Sequence, residues 1–226
     1  MCGRFVQLIK ARRKARALAK AMAEQAAAAA RAESWNIAPS TSALIVRSDG
    51  NALSTDWFFW GLQNEVPLSG VRPTNARLES AFDKPTFQDA WRNRRCVVPV
   101  EGWYEWKTDG TDKQPYYFSR RDGEPIFLGG LWAGRTFCLL TTRADGDLAK
   151  VHERRPLALR DADAEAWING PPASPERLAF SAVPPIEIAF HPVSPRVNNA
   201  RTDGPSLIEP ITLDDSPRPI QTTLFL

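Results

Sequence analysis

From residue 43 onward the chain runs as short β-branched or aromatic stretches separated by turn tetrapeptides, and that punctuation limits the folds open to it. Ala43–Arg47 is apolar and β-branched, Ser48-Asp49-Gly50-Asn51 reads as a turn, and Trp57–Leu62 is aromatic-rich, so a hairpin is expected. Cys96–Val100 and Gly102–Lys107 read as strands, Thr108–Thr111 as a turn and Tyr116–Arg120 as a further strand. Arg121-Asp122-Gly123-Glu124 turns again, and strands at Ile126–Leu131, Thr136–Thr142 and Ile186–Val193 follow. Short helices fit Phe87–Arg94, Asp147–His152 and Asp163–Ile168. Sequential strands with turn linkers predict largely antiparallel sheets with peripheral helices, an α+β fold.

Residues 10–32 read as one long helix, because Ala11, Ala15, Leu18 and Met22 fall on one stripe with Lys10, Arg13, Lys14 and Lys20 elsewhere. Ser34 to Ser40, with Asn36 and Pro39, breaks that pattern, and the Pro-rich tail from about residue 202 is expected to lie extended on the surface. No repeat or low-complexity linker divides the 226 residues, so 1–226 is read as a single domain. The longest apolar run is far short of the roughly 18–20 residues that span a bilayer, and the start lacks a basic segment followed by an apolar one. Three cysteines without a Cys-x-x-Cys pair predict neither a disulfide framework nor a zinc site, so a cytoplasmic location is expected. The net charge is +3, yet residues 1–35 hold eight Lys or Arg against two acids. That basic N-terminal segment suits a polyanionic partner, and equally a solvated helix face.

Three side chains carry chemical possibilities. Removal of Met1 would make Cys2 the N-terminus, with an amine of pKa about 7.7–8.0 beside a thiol of about 8.5. Such a 1,2-aminothiol condenses with an aldehyde to an imine, on which the sulfur closes to a thiazolidine; both groups would have a reactive fraction at pH 7. Glu105, in Glu101-Gly102-Trp103-Tyr104-Glu105-Trp106, is a carboxyl among tryptophans, where desolvation raises its pKa and suits it to general acid–base work; strand alternation equally allows a solvent-facing residue. His152 has polar neighbours on both sides, as a cleft imidazole would, and histidine is the natural proton shuttle near neutrality. His191, the other histidine, ends an apolar strand, where packing is expected, and Cys96 and Cys138 read as core residues. Two histidines without clustered acids or cysteines predict no metal.

Further motifs occur in order: Met1-Cys2-Gly3-Arg4-Phe5, Trp35-Asn36-Ile37-Ala38-Pro39, Trp60-Gly61-Leu62, Asn75-Ala76-Arg77 with Glu79, and Arg95-Cys96-Val97-Val98-Pro99. Gly102–Trp106, Gly129-Gly130-Leu131-Trp132, His152-Glu153-Arg154-Arg155-Pro156 and His191-Pro192-Val193-Ser194 complete the set. In this order and spacing the chain resembles the SRAP (SOS response-associated peptidase) family from Cys2 to about Pro210. The resemblance implies a barrel-like single domain that binds single-stranded DNA and processes abasic sites. Cys2 matches the residue that crosslinks to the ring-opened sugar. Asn75 matches the residue holding the terminal amine and the sugar, Glu105 the one assisting ring opening, and His152 the one moving protons there and in crosslink reversal. DNA-backbone contacts match Arg4, Arg77, Thr141 and Arg154, with Asn36 and Pro39 lining the cleft. Two departures stand out. Gln63-Asn64-Glu65-Val66-Pro67-Leu68 lacks the further tryptophan that many members use to stack on a base, and Arg155 stands where many have Met.

Three functions fit these residues. The leading one is a covalent sensor of abasic sites in single-stranded DNA, cofactor-free and monomeric, with lyase and self-release activity as extensions and no membrane partner. Cys2 as an N-terminal nucleophile of a peptidase is the second, and a non-covalent single-stranded DNA binder is the third.

Overall fold

The turn-linked runs become strands, and five of them close into a ring. The structure, a computed structural model, describes residues 2–19, 33–48, 50, 52–63, 72–171, 184 and 187–213. β1 (Arg4–Gln7) and α1 (Ile9–Ala19) precede β2 (Ser34–Ile37), β3 (Ser42–Ser48), β4 (Leu53–Trp60) and β5 (Asn75–Arg77). Two helices, α2 (Leu78–Ala81) and α3 (Pro85–Asn93), lead into β6 (Arg95–Val100), β7 (Gly102–Asp109), β8 (Asp112–Arg120), β9 (Ile126–Ala133) and β10 (Thr136–Arg143). A 3-10 turn at Gly146–Lys150 is followed by β11 (Arg154–Pro156), β12 (Ala158–Leu159), α4 (Asp161–Asn169) and β13 (Ile188–Pro192).

One sheet has the order β13-β8-β7-β1-β2 and is antiparallel throughout. The other runs β11-β10-β4-β3-β6-β9-β12, and an added β10–β9 pairing closes β10-β4-β3-β6-β9 into a barrel. Within it β10 pairs in parallel with β4 and β5, and the remaining pairs are antiparallel. Both faces of the barrel strands are covered, which explains their unbroken apolar runs. Ala43 and Ile45 of β3 join a core with Phe5, Trp103 and Phe118, while Leu44 and Val46 join one with Ala15, Trp91 and Trp167 from the helices.

Several motif residues hold this frame together. Arg95, buried at the start of β6, donates to Trp91 O and Arg92 O at the end of α3, and to Trp167 O, Ile168 O and Gly170 O at the end of α4. One guanidinium thereby caps two helix C-termini, whose last carbonyls otherwise lack partners. At Gly102 a Cβ would fall 2.2 Å from Phe118 O, so only glycine lets β7 approach β8 there. Gln7, fully buried, donates to Leu44 O (2.9 Å) and Pro99 O (2.8 Å) and accepts from Leu44 N (2.8 Å), joining β1 to the barrel.

Three expectations change. Ser34–Ile37, read as a break, is a strand, because its main chain pairs with β1 while Asn36 and Trp35 are tied to the C-terminal region. The region 147–152 forms a 3-10 turn at Gly146–Lys150. The chain after residue 202, expected to lie extended on the surface, is anchored into the fold: Leu207 is fully buried and Val193 bridges Pro210. The expected helix over 10–32 is present as Ile9–Ala19; residues 20–32, the segment 64–68 and the tail beyond 213 lie outside the described residues. Among the described residues no helix is long and apolar enough to cross a membrane.

Candidate active site

The barrel strands place Asn75 against the start of the chain. β5 is short, but its register on β10 (Leu139 opposite Asn75) is reinforced by Leu139 N donating to Thr74 O at 3.0 Å and Leu62 N to Pro73 O at 2.9 Å. Trp60, packed between Phe5 and Phe137, donates its Nε1–H to Thr74 O at 2.8 Å. The Trp60-Gly61-Leu62 motif is thus a buried support for the Asn75 segment. Asn75 Nδ2 then donates to Cys2 O at 2.9 Å and to Thr74 Oγ1 at 3.2 Å.

Cys2 is fully buried, and its Sγ lies 3.8 Å from Arg4 O, a weak S–H contact. Burial first, and then the charge of Glu105, pushes the thiol well above its ordinary pKa. The expected thiolate fraction at pH 7 is therefore not present: in this enclosed position the sulfur is a neutral thiol.

Glu105 reaches the same place from the other sheet. β1 and β7 are antiparallel with Arg4 opposite Tyr104, which carries the Glu105 position alongside the residues that precede β1. Glu105 is 2% exposed, so the solvent-facing reading is excluded. Trp103, on its side of the strand, packs with Phe118 in the core that contains Cys2, whereas Tyr104 and Trp106 pack on the opposite face. Desolvation therefore comes from the Trp103 side, and it raises the carboxyl to about 7 against the opposing pull of the terminal ammonium, which in this chain belongs to Met1 and not to Cys2. An acid with a pKa near 7 can both give and take a proton at neutral pH.

His152 follows the Gly146–Lys150 turn. Its Nδ1 lies 3.0 Å from Arg154 N and 2.9 Å from Arg154 O, so the main chain of β11 sets the ring. Burial, foremost, lowers its pKa, and the terminal ammonium that acts on Glu105 acts in the same sense here. The neutral imidazole prevails at pH 7. Arg154 is itself buried: Nη2 donates to Glu79 Oε2 at 2.8 Å and to Thr141 O at 2.6 Å, Nη1 to Glu79 Oε1 at 3.4 Å, and Nε to Thr141 Oγ1 at 3.3 Å. Burial would raise the Glu79 carboxyl, but the Arg154 hydrogen bond and charge outweigh it and hold the group below its ordinary value.

The other DNA-contact expectations divide. Arg77 is exposed and lines a pocket of about 510 Å³ with Arg143, Ala144, Ala149, Glu153 and Arg154. Arg4 is partly exposed and donates to Asn198 O at 3.2 Å, and Pro39 is half-buried. Asn36 and Thr141 are buried. Asn36 Nδ2 is directed at Val197 O, Asn199 O and Thr202 O, tying β2 to the C-terminal region. Arg143 is the residue the motifs missed; its only signal in sequence was a cation two positions after Thr141, on the same strand face. The basic N-terminal helix is largely engaged within the molecule. Lys10 pairs with Glu124 at 2.9 Å, Lys14 with Asp161 at 2.6 Å, and Arg12 is buried over Trp57. His191, with Nε2 2.8 Å from Ile208 O, and the buried Cys96 and Cys138 are structural as expected. Arg155, buried, pairs with Asp145 at 3.4 Å. Among the described residues no group of three or more His, Cys, Asp or Glu could hold a metal ion.

The family model for SOS response associated peptidase (SRAP) matches residues 1–200. The abasic site processing protein YedK of Escherichia coli K12 is 34% identical over 193 residues, covering 78% of this chain and 84% of that protein. The abasic site processing protein HMCES of Gallus gallus is 29% identical over 185 residues, covering 68% of this chain and 55% of its own length. Among solved structures, a Bacteroides thetaiotaomicron protein shares the fold with a TM-score of 0.79 at 20% identity, over 93% of this chain and all of that one. A phage-related protein of Bordetella bronchiseptica gives a TM-score of 0.70 at 27% identity, over 85% of this chain and 94% of that one. With residues 1–200 matched and a relative at 34% identity, the chain belongs to the SRAP family.

Proposed function

We propose that the protein processes abasic sites in single-stranded DNA by forming a thiazolidine between Cys2 and the ring-opened sugar. The relatives named as abasic site processing proteins make abasic-site DNA the substrate class. The observation that carries the reading is the meeting of Cys2 with Asn75, at 2.9 Å, and with the buried Glu105 whose pKa is raised to about 7.

The chemistry requires removal of Met1, which leaves the amine and thiol of Cys2 on adjacent carbons. Glu105 moves a proton between the anomeric hydroxyl and the ring oxygen, opening the hemiacetal to an aldehyde. The Cys2 amine adds to that carbon and water leaves, giving an imine. The thiol then adds to the imine carbon: a C–S bond forms and the S–H proton passes to nitrogen. One water is the net product, and no oxidant or cofactor enters. The buried sulfur needs no thiolate, because the acceptor is an imine and Glu105 stands ready to take the proton. The imine, before the sulfur closes, also permits β-elimination of the 3′ phosphate, which is the lyase extension; closure withdraws it. In reversal His152, neutral at pH 7, takes the thiazolidine N–H proton and passes it to the sulfur as the C–S bond breaks, the reverse of closure. Arg77 and the pocket beside it hold phosphates, which carry no sequence information directly, so binding depends little on base sequence.

A denaturing gel tests the reading with protein lacking Met1. An SDS-stable band that forms only on abasic single strands supports it. Cys2→Ala should lose that band while keeping affinity for single strands, since phosphate contacts supply most nonspecific binding. Peptide turnover without a band would make the protein a hydrolase, and binding with neither would make it a simple single-strand binder.

A further inference from the structure

Glu79 is quoted with the Asn75-Ala76-Arg77 motif yet takes no part in the chemistry above. Its carboxylate, with a side chain 44% exposed, is engaged by both terminal nitrogens of Arg154, whose side chain is 8% exposed. Nε and Nη2 of the same guanidinium also reach Thr141 Oγ1 (3.3 Å) and Thr141 O (2.6 Å). Four of the five N–H groups of an arginine are therefore committed inside the protein, which leaves little of this side chain for a DNA phosphate. What the guanidinium does connect is three pieces of the site. Glu79 lies in the first turn of α2, which follows directly on β5 and its Asn75; Thr141 lies on β10; and Arg154 opens β11. The main chain of Arg154 holds the His152 ring, with Nδ1 3.0 Å from its N–H. At the other end of the same assembly, Asn75 holds Cys2 O at 2.9 Å.

We propose that the Glu79–Arg154 ion pair is a positioning brace that keeps the His152 imidazole in register with the Asn75–Cys2 pair. The proposal rests on the reading of His152 as the proton carrier in reversal. Neither Glu79 nor Arg154 needs to touch the sugar. Their bidentate contact clamps the His152 segment to the Asn75 segment across β10, adding a side-chain tie to the main-chain bonds from His152 N to Leu148 O (3.3 Å) and from Ala144 N to Glu153 O (2.8 Å). A misplacement of about 1 Å is enough to cost a proton-transfer group as much as 10²-fold.

The test compares Glu79→Gln and Glu79→Asp with wild type in three measurements: crosslink formation, transfer of the crosslink to a second abasic strand, and the imidazole ¹⁵N spectrum. The chain has two histidines, so the His152 signals are assignable by His191→Gln. Glu79→Gln should slow strand transfer about 10-fold, slow formation by a smaller factor, and shift the Nδ1 resonance away from its hydrogen-bonded position. Glu79→Asp, which keeps the charge, should fall between. Thermal melting of each variant reports the folded fraction. An unchanged Nδ1 resonance in Glu79→Gln overturns the proposal, as does an equal loss of formation and transfer that matches a loss of folded protein. If His152→Ala transfers at the wild-type rate, the role of His152 fails, and the Nδ1 resonance still decides whether the brace exists.

Discussion

Glu105 shows how much a single buried carboxyl can alter both reactivity and stability. Its pKa is about 7 in the folded protein against an ordinary 4.5, with desolvation the leading cause. A raised acid binds its proton more tightly in the folded state, so its contribution to stability is greatest below about pH 4.5 and is lost as pH climbs through about 7. The difference corresponds to roughly 3 kcal/mol. Glu105→Gln, which removes the charge and keeps the shape, should therefore melt higher than wild type at pH 8 and at nearly the same temperature at pH 4. A pH series of melting curves in which the two proteins never diverge would contradict the burial argument. The same variant should slow crosslink formation by about 10²–10⁴-fold with little change in DNA affinity, as expected for loss of a placed acid–base group. A time course on denaturing gels measures it.

Among the elements, the short ones set the site, and their positions depend on partners distant in sequence. β5 has three residues and no strong local propensity, yet it carries Asn75 because β10 offers a parallel edge and Trp60 grips Thr74 O. α3 and α4 end on one shared cap, Arg95. Arg95→Met keeps much of the volume but leaves those carbonyls without a donor. Each unsatisfied buried polar group costs about 1–3 kcal/mol, so the variant should lose roughly 3 kcal/mol or more in urea unfolding. Protection of the α3 and α4 amides from hydrogen exchange should fall further than that of β3, and uniform protection across all three would contradict a local capping role. Some of the carbonyls that Arg95 caps lie up to 75 residues away in sequence, so no local pattern could reveal the shared cap.

Across the whole molecule, charge is used more internally than composition suggests. Lys10, Arg12 and Lys14 of the basic N-terminal segment meet acids or aromatic rings of their own chain, while exposed Arg77 faces the pocket that Arg143 also lines. Arg77→Ala should weaken binding to single strands of any sequence and reduce the salt slope by about one ion, whereas Lys10→Ala should leave the slope unchanged. Fluorescence anisotropy across a salt series separates them; equal slopes for wild type and Arg77→Ala would remove Arg77 from the DNA path.

Apolar and aromatic runs, turn tetrapeptides and ordered motifs are legible in the sequence, because strand propensity, turn chemistry and the types of reactive side chain are short-range properties. Strands 3, 4 and 6 to 10 lie close to where those patterns put them, and Cys2, Asn75 and Glu105 were named from motifs before their meeting was visible. The parallel pairing of β10 with β4 that closes the ring, the strand at Ser34–Ile37 and the docked segment around Leu207 were not legible, since each depends on contacts with remote chain. Burial was decided only there as well. Packing from Trp103 and its neighbours took Glu105 out of water and left the Cys2 thiol protonated, and the assembled fold buries Asn36, Thr141 and Arg154. Residue identity states which groups can exchange protons or bond to an aldehyde; solvent exclusion, a property of the assembled barrel and sheet, states in which protonation state they wait.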